Sequence, residues 1–222
     1  MTPPSARSDR HVVLYHWPRS RSSGVRMLLE ELDADYELHL VDIQAGEQRA
    51  PAYLAVNPMG KVPAIRHGDA VVTEQVAVYL YLADLYPEAG LAPPIGDALR
   101  GPYLRWTAFY GSSFEPAMVD RAAKREPPPR SMSPYGDVDS VLKTVEEQLS
   151  RGQYIVGERC TAADVLWGAA LDWMTGFKVM EATPAVRAYI DRMMARPGVA
   201  RARQKDRALM EAVRSGKGAQ AG

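Results

Sequence analysis

Residues 11–17, HVVLYHW, are a run of β-formers that stops at Pro18; proline has no N–H to give to a sheet ladder. Beyond PRSRSSG, the apolar residues Val25, Leu28, Leu29 and Leu32 recur at helical spacing, which predicts a helix with one buried face. YELHLVDI (36–43) alternates and predicts a second strand. Strand, helix and strand at these lengths form a βαβ unit, whose two strands run parallel. A short helix around residues 51–56 leads into NPMGKVPAI (57–65), and KVPAIRHGDAVV then predicts two short strands about an HGD turn. TEQVAVYLYLADLYPEAG begins a helix that ends before Pro87. The order βαβ, connector, ββα describes a mixed sheet with helices packed on it.

After the Pro/Gly-rich LAPPIGDALRGP no convincing strand follows. Leu99 to Val119 predicts one helix with an aromatic stripe of Tyr103, Trp106, Phe109 and Tyr110. REPPPRSMSP interrupts, and helical spacing resumes from Val138 to Leu149. TAADVLWGAALDWM is apolar almost all round, as suits a helix at the centre of a bundle. Thr161 and Asp164 have the spacing of a capping box, a structural role for Asp164, with Cys160 against Val165 as the accompanying staple. Two more amphipathic segments cover 184–195 and 199–213. The expected organisation is a flexible extension (1–10), an α/β domain (11–88), a linker (89–97), an all-helical domain (98–213) and a flexible tail (214–222).

Composition narrows the function. Lys plus Arg and Asp plus Glu number 27 each in 222 residues, so no overall field points to nucleic acid or to an anionic membrane. The apolar runs are broken by charge, which predicts no transmembrane span, and MTPPSARSDR has no apolar core of the secretory kind. The single cysteine excludes an intrachain disulfide, and neither it nor the four histidines offer metal-ligand spacing. A cytoplasmic, metal-free globular protein is expected.

A βαβ–ββα domain with Pro63 opening its third strand resembles the thioredoxin fold. That resemblance implies a cis Val62–Pro63 bond facing the first strand–helix turn. Thioredoxins carry Cys-x-x-Cys at the turn; here it is RSRSS, Arg19 to Ser23, so the domain suits a thiol brought by another molecule. With LYHWPRSRSSGVRMLLEEL, NPMGKVPAI, TEQVAVYLYLADLYPEAGL and YIVGERCTAADVLWGAALDWM, the chain from His11 to about Arg203 resembles the cytosolic glutathione S-transferases, of a serine-type or atypical class. The resemblance implies an α/β plus all-α chain: an N-terminal thioredoxin-like βαβ-ββα domain followed by a C-terminal helical bundle. It also implies glutathione as co-substrate, no metal, a small hydrophobic electrophile, a detoxification role and a homodimer.

Residue roles follow from the same resemblance. The main chain of Val62, before Pro63, would pair with the cysteinyl part of glutathione as an added strand. Glu74 and Gln75, opening the next helix, would hold the γ-glutamyl ammonium and carboxylate, although family members usually carry Ser at the place of Gln75. Lys61 would approach the glycyl carboxylate. A hydroxyl donating to sulfur favours the thiolate, the nucleophilic form. Counting forward from the first strand gives Ser20 that task; counting back from the helix gives Ser22, or Arg21 as a cationic substitute. Ser22 and Ser23 also suit N-cap positions. The serine would act as donor without a His–Asp partner, and Tyr15 comes too early in the strand to serve. Trp106 and Tyr110 lead the electrophile-facing candidates, with Phe109, Phe114 and Arg105 nearby. Two alternatives stay open: a glutathione-dependent disulfide reductase or peroxidase, and a non-catalytic glutathione-binding protein.

Overall fold

The structure is a computed structural model that describes residues 9–126 and 128–215. The described chain divides into two compact units: residues up to Ala89 together with those from Pro197, and residues Gly90–Arg196. Apart from Asp9, Arg10, Arg214 and Ser215, the expected N-terminal extension and tail lie outside the described residues.

In the first unit, β1 (Val12–His16), β2 (Tyr36–Leu40), β3 (Ala64–His67) and β4 (Ala70–Val72) form a sheet in the order β2-β1-β3-β4. β1 and β2 are parallel, while β3 is antiparallel to both β1 and β4, the mixed sheet that the alternating pattern predicts. Helices α1 (Ser22–Glu31), α2 (Pro51–Leu54) and α3 (Gln75–Leu85) follow their strands in the expected order. Strand periodicity sends successive side chains to opposite faces. Val12, Leu14 and the α1 residues Val25, Leu28 and Leu29 are fully buried. Tyr15 instead joins Val41 and Tyr53 in a separate apolar cluster with Ala64.

The last helix, numbered α9 (Pro197–Arg214), belongs to this first unit, whereas the sequence alone places it in one helical domain with everything from residue 98. Its partner is α1. A Cβ on Gly198 would lie 2.7 Å from the Glu31 amide nitrogen, so only glycine permits this approach of the two backbones. Val199 and Ala202 are buried, and the Val199 N–H donates to Glu31 Oε1 at 3.2 Å. Charge then continues the join. Glu30 accepts from Arg201 Nε at 3.1 Å, from Lys205 and from the Tyr36 hydroxyl at 2.5 Å.

The second unit contains α4 (Arg100–Phe109), α5 (Glu115–Ala122), α6 (Val138–Leu149), α7 (Ala162–Gly176) and α8 (Pro184–Met194). The single helix expected over 99–119 is interrupted by a π-helical turn at Tyr110–Phe114. Pro116 supplies the reason: it has no N–H for the carbonyl of Ser112, and a widened turn absorbs the mismatch. At the centre of the unit Trp167 is fully buried, and its indole N–H donates to the Trp106 carbonyl at 3.1 Å. The capping box of α7 is present. Asp164 accepts from the Thr161 N–H at 2.8 Å, the Ile155 N–H at 2.6 Å and the Tyr189 hydroxyl at 2.9 Å, the structural task its spacing predicts. Residues 89–97, expected as a linker, include a buried Leu91 whose carbonyl accepts from the Ala162 N–H at 2.8 Å.

Candidate active site

β1 delivers the chain to the turn at residues 17–21. Trp17 and Pro18 are buried, and Arg19 turns the backbone with φ +59°. The register Tyr15↔Ala64 between antiparallel strands carries the segment before Ala64 past the same end of β1. There the Val62–Pro63 peptide bond is cis, as the thioredoxin resemblance implies. Among the described residues no hydrogen bond engages the Val62 main chain, so its N–H and C=O are available to an added strand.

The segment before it is pinned from within. The Lys61 carbonyl accepts from the Tyr53 hydroxyl at 2.6 Å and from Asn57 Nδ2 at 2.8 Å. Asn57, itself buried, accepts from the Met59 N–H at 3.0 Å. Gly60 has φ +59°, and a Cβ there would stand 2.7 Å from the Gln48 carbonyl oxygen. The Lys61 side chain is left exposed on this fixed base.

At the start of α3, Glu74 adopts φ +64° and ψ +117°, a conformation that costs a non-glycine residue roughly 1–3 kcal/mol. The helix has no side-chain N-cap bond, so its first N–H groups keep their capacity for an anion. Gln75 Nε2 donates to the Arg21 carbonyl at 3.4 Å, which ties the start of α3 to the turn after β1. The structure thus brings Ser20, Arg21, Ser22, Glu74 and Gln75 into one region, and Val62 and Pro63 lead into β3 beside the end of β1.

The two serines differ. Ser22 is fully buried; its Oγ accepts from the Trp17 N–H at 3.1 Å and lies 2.8 Å from His16 Nδ1. Neither Ser22 nor Ser23 caps α1: the N-cap is Arg21, with no side-chain capping bond. Ser20 is part-exposed. Its Oγ lies 2.7 Å from Ser22 Oγ and 2.7 Å from the Trp17 carbonyl, and accepts from the Ser22 N–H at 3.1 Å.

Behind them lies a partnership that the sequence alone does not suggest. His16 is fully buried, with Nε2 3.1 Å from Asp206 Oδ1. The same oxygen accepts from Arg26 at 2.7 Å. Burial pushes the Asp206 carboxyl up, but hydrogen bonds from His16, Ser23 and Arg26 outweigh it and hold it below the usual carboxylate range. A serine with no His–Asp partner is expected from the sequence; a serine–histidine–aspartate chain is what folds. Asp206 sits on the distant α9, so no local spacing could announce it. His16 carries a fainter signal, being an inward-facing polar residue at a strand end.

Tyr15 accepts from Arg66 at 3.1 Å in the Val41–Tyr53 cluster, away from the serines, as expected. Trp106 and Tyr110 are 4% and 3% exposed. Both stand edge-on to Trp167, at 5.9 and 5.8 Å between ring centres, and the Tyr110 hydroxyl donates to Glu115 at 2.7 Å. Their rings fill the interior of the helical unit, the commoner fate of an aromatic stripe. Little of either is left for an electrophile.

This geometry has relatives. The family model described as Glutathione S-transferase, N-terminal domain matches residues 10–84, and Glutathione S-transferase, C-terminal domain matches residues 131–197. A glutathione transferase structure from Methylococcus capsulatus is 32% identical and covers 89% of this chain and 99% of its own, with a TM-score of 0.75. The chain belongs to the cytosolic glutathione S-transferase family.

Another family member, glutathione S-transferase GstA of Escherichia coli O157:H7, is 28% identical over 84% of this chain and 94% of its own length. A glutathione transferase homologue from Sulfitobacter, solved with bound glutathione, is 28% identical, covers 88% of this chain and 98% of its own, and has a TM-score of 0.73. The N-terminal family match ends within α3 and the C-terminal match at Pro197. Asp206 stands outside both glutathione S-transferase domain matches.

Proposed function

We propose that this chain is a glutathione transferase in which the Ser20 hydroxyl donates to the glutathione sulfur and favours its thiolate. The observation that carries this is the contrast at the turn: Ser20 is part-exposed, while Ser22 is enclosed and bonded on every side. The free Val62 main chain would pair with the cysteinyl amide, Lys61 would face the glycyl carboxylate, and Glu74 and Gln75 would hold the γ-glutamyl end. The glutathione bound in the Sulfitobacter homologue supports the co-substrate. The thiolate then attacks an electrophilic carbon. A C–S bond forms, and the displaced pair leaves with a departing group or takes a proton from water.

The co-substrate in this proposal is a small hydrophobic electrophile, and the working form is a cytoplasmic homodimer with a detoxifying role; family membership supports each. Trp106 and Tyr110 are core residues of the helical unit.

The test is calorimetric binding of glutathione with ultraviolet titration of the bound thiol, beside Ser20→Ala and Ser22→Ala. The bound thiol should ionise below the ~8.5 of a free thiol. Ser20→Ala should lower kcat/KM by about 10- to 100-fold, the worth of one charge-assisted hydrogen bond. Unchanged turnover in Ser20→Ala would remove Ser20 from the role. Binding with an unshifted thiol and turnover of disulfides or hydroperoxides would reassign the chain as a reductase or peroxidase.

A further inference from the structure

His16 is buried beside two hydroxyls and a carboxylate, and the proposed role of Ser20 as sulfur donor makes no use of it. We propose that His16 receives the glutathione thiol proton through Ser20 and Ser22, and that Asp206 stabilises the resulting imidazolium. This rests on the assignment of Ser20 as the sulfur-facing hydroxyl.

Donor and acceptor capacities allow the chain two arrangements. Asp206, kept ionised by Arg26, accepts only, so His16 Nε2 carries a proton and donates to Oδ1. Nδ1 decides the rest. With Nδ1 bare, Ser22 donates to it while accepting from the Trp17 N–H and from Ser20. Ser20 then accepts from the Ser22 N–H and has one lone pair left for a thiol proton. With Nδ1 protonated, every hydroxyl reverses. His16 donates to Ser22, Ser22 donates to Ser20, and Ser20 donates outward to a thiolate.

Passage between the two states breaks the S–H bond and forms an N–H bond at Nδ1, with one proton handed on at each hydroxyl. Charge is conserved: thiol and imidazole become thiolate and imidazolium. In both arrangements the buried Ser22 hydroxyl keeps one acceptor and two donors, so the reversal leaves it fully paired, while the Trp17 carbonyl gives up the bond it accepts from Ser20 at 2.7 Å. The charged and titratable groups facing His16 are few. Asp206 comes from α9 and Arg26 from α1, the latter backed by Tyr36 at 3.3 Å. Glu30, Arg201 and Lys205 form the next layer. The Asp206 carboxylate is the charge in direct hydrogen-bond contact with the ring. His16 and Asp206 act through the serines and are positioning residues, not catalytic ones.

The readout that separates a relay from a merely structural network is the fate of the proton. Glutathione binding to the full chain is measured at pH 7 by calorimetry in buffers of different ionisation enthalpy, with thiolate absorbance followed on the same samples. In the unaltered protein, thiolate should form with release of well under one proton per site, because His16 keeps it. Ser22→Ala and Asp206→Asn should each lower kcat about tenfold and reduce bound thiolate at pH 7, with glutathione affinity within about twofold. The double variant should be no worse than Ser22→Ala, since both cut the same chain. Thermal melts report whether Asp206→Asn folds; if it does not, Ser22→Ala and the proton count carry the test.

Release of a full proton per thiolate in the unaltered protein would overturn the relay, as would additive losses in the double variant. If Ser20→Ala loses turnover while Ser22→Ala and Asp206→Asn keep it, the relay fails and the Ser20 assignment stands. If Ser20→Ala keeps turnover, that assignment fails first and takes the relay with it.

Discussion

His16 Nε2 meets Asp206 Oδ1 at 3.1 Å across 190 residues of chain. Two elements from opposite ends of the sequence therefore close over the turn that holds Ser20 and Ser22. The same carboxylate oxygen also holds Arg26 of α1. Packing of α9 on α1 and chemistry at the turn are consequently one structural matter, and substitutions in either should be felt in both.

Glu74 combines a strained backbone with a proposed binding role. Glu74→Gly relieves the positive φ and should raise stability by up to about 1 kcal/mol, read as a higher melting temperature. The same substitution removes the carboxylate proposed for the γ-glutamyl ammonium, so glutathione affinity should fall about tenfold with kcat little changed. A Glu74→Gly protein that binds glutathione normally would separate the strained backbone from binding.

Asp164→Ala should cost about 3–5 kcal/mol in a denaturant titration. It strips the partner from two buried N–H groups and from the Tyr189 hydroxyl, and unpaired buried donors carry their full desolvation penalty. Among folded molecules glutathione binding should be unaffected, because Asp164 serves the helical unit.

Acid should loosen the contact of α9 with α1. Burial pushes Glu30 up, but hydrogen bonds from Lys205, Tyr36 and Arg201 outweigh it, and its carboxyl titrates below the usual range; Asp206 is lowered likewise. A depressed carboxyl contributes stability that is complete above its unfolded pKa. That contribution is lost as pH falls through the folded value. Unfolding followed by denaturant should therefore show stability level above about pH 5 and falling below about pH 4, with a shallower fall in Glu30→Gln. Tyr36, pushed up to about 12 by burial and by its bond to Glu30, stays a neutral donor throughout.

Gly198→Val would set a side chain 2.6 Å from Glu31 Oε1 and 2.7 Å from its amide nitrogen. Overpacking of this kind should lower stability by about 1–3 kcal/mol. It should also reduce turnover, by shifting Asp206 from His16. Unchanged kinetics in a folded Gly198→Val protein would show that α9 adapts without disturbing the turn.

The strands, α1, α3 and the capping box of α7 were legible because their signals are local. Alternation, helical spacing, Thr161 and Asp164 at an offset of three, and Pro63 at a strand start all act within a few residues. The π turn before α5 depended on Pro116 losing a donor four residues from Ser112, a signal hidden inside a continuous apolar pattern. At the candidate site, Val62, Pro63 and the serines could be proposed by order along the first unit. His16 could not be given a role, since an inward histidine on a strand more often satisfies a core. Asp206 was out of reach altogether: its helix reads as any amphipathic segment, and only tertiary packing on α1 assigns it to the first unit. The burial of Trp106 and Tyr110 was hidden for a related reason, because spacing marks an aromatic stripe without saying which side of the helix faces Trp167.

The dependence of the first unit on α9 also bears on how the protein is made. A ribosome completes the sheet and the serine turn before the second unit, yet the carboxylate beneath His16 emerges only after that whole unit has been made. Until then the turn is present without its counter-charge, and α1 exposes the surface that Gly198, Val199 and Ala202 will cover. A nascent chain therefore reaches its competent form late, and expression of the first 89 residues alone would yield a fragment lacking that support.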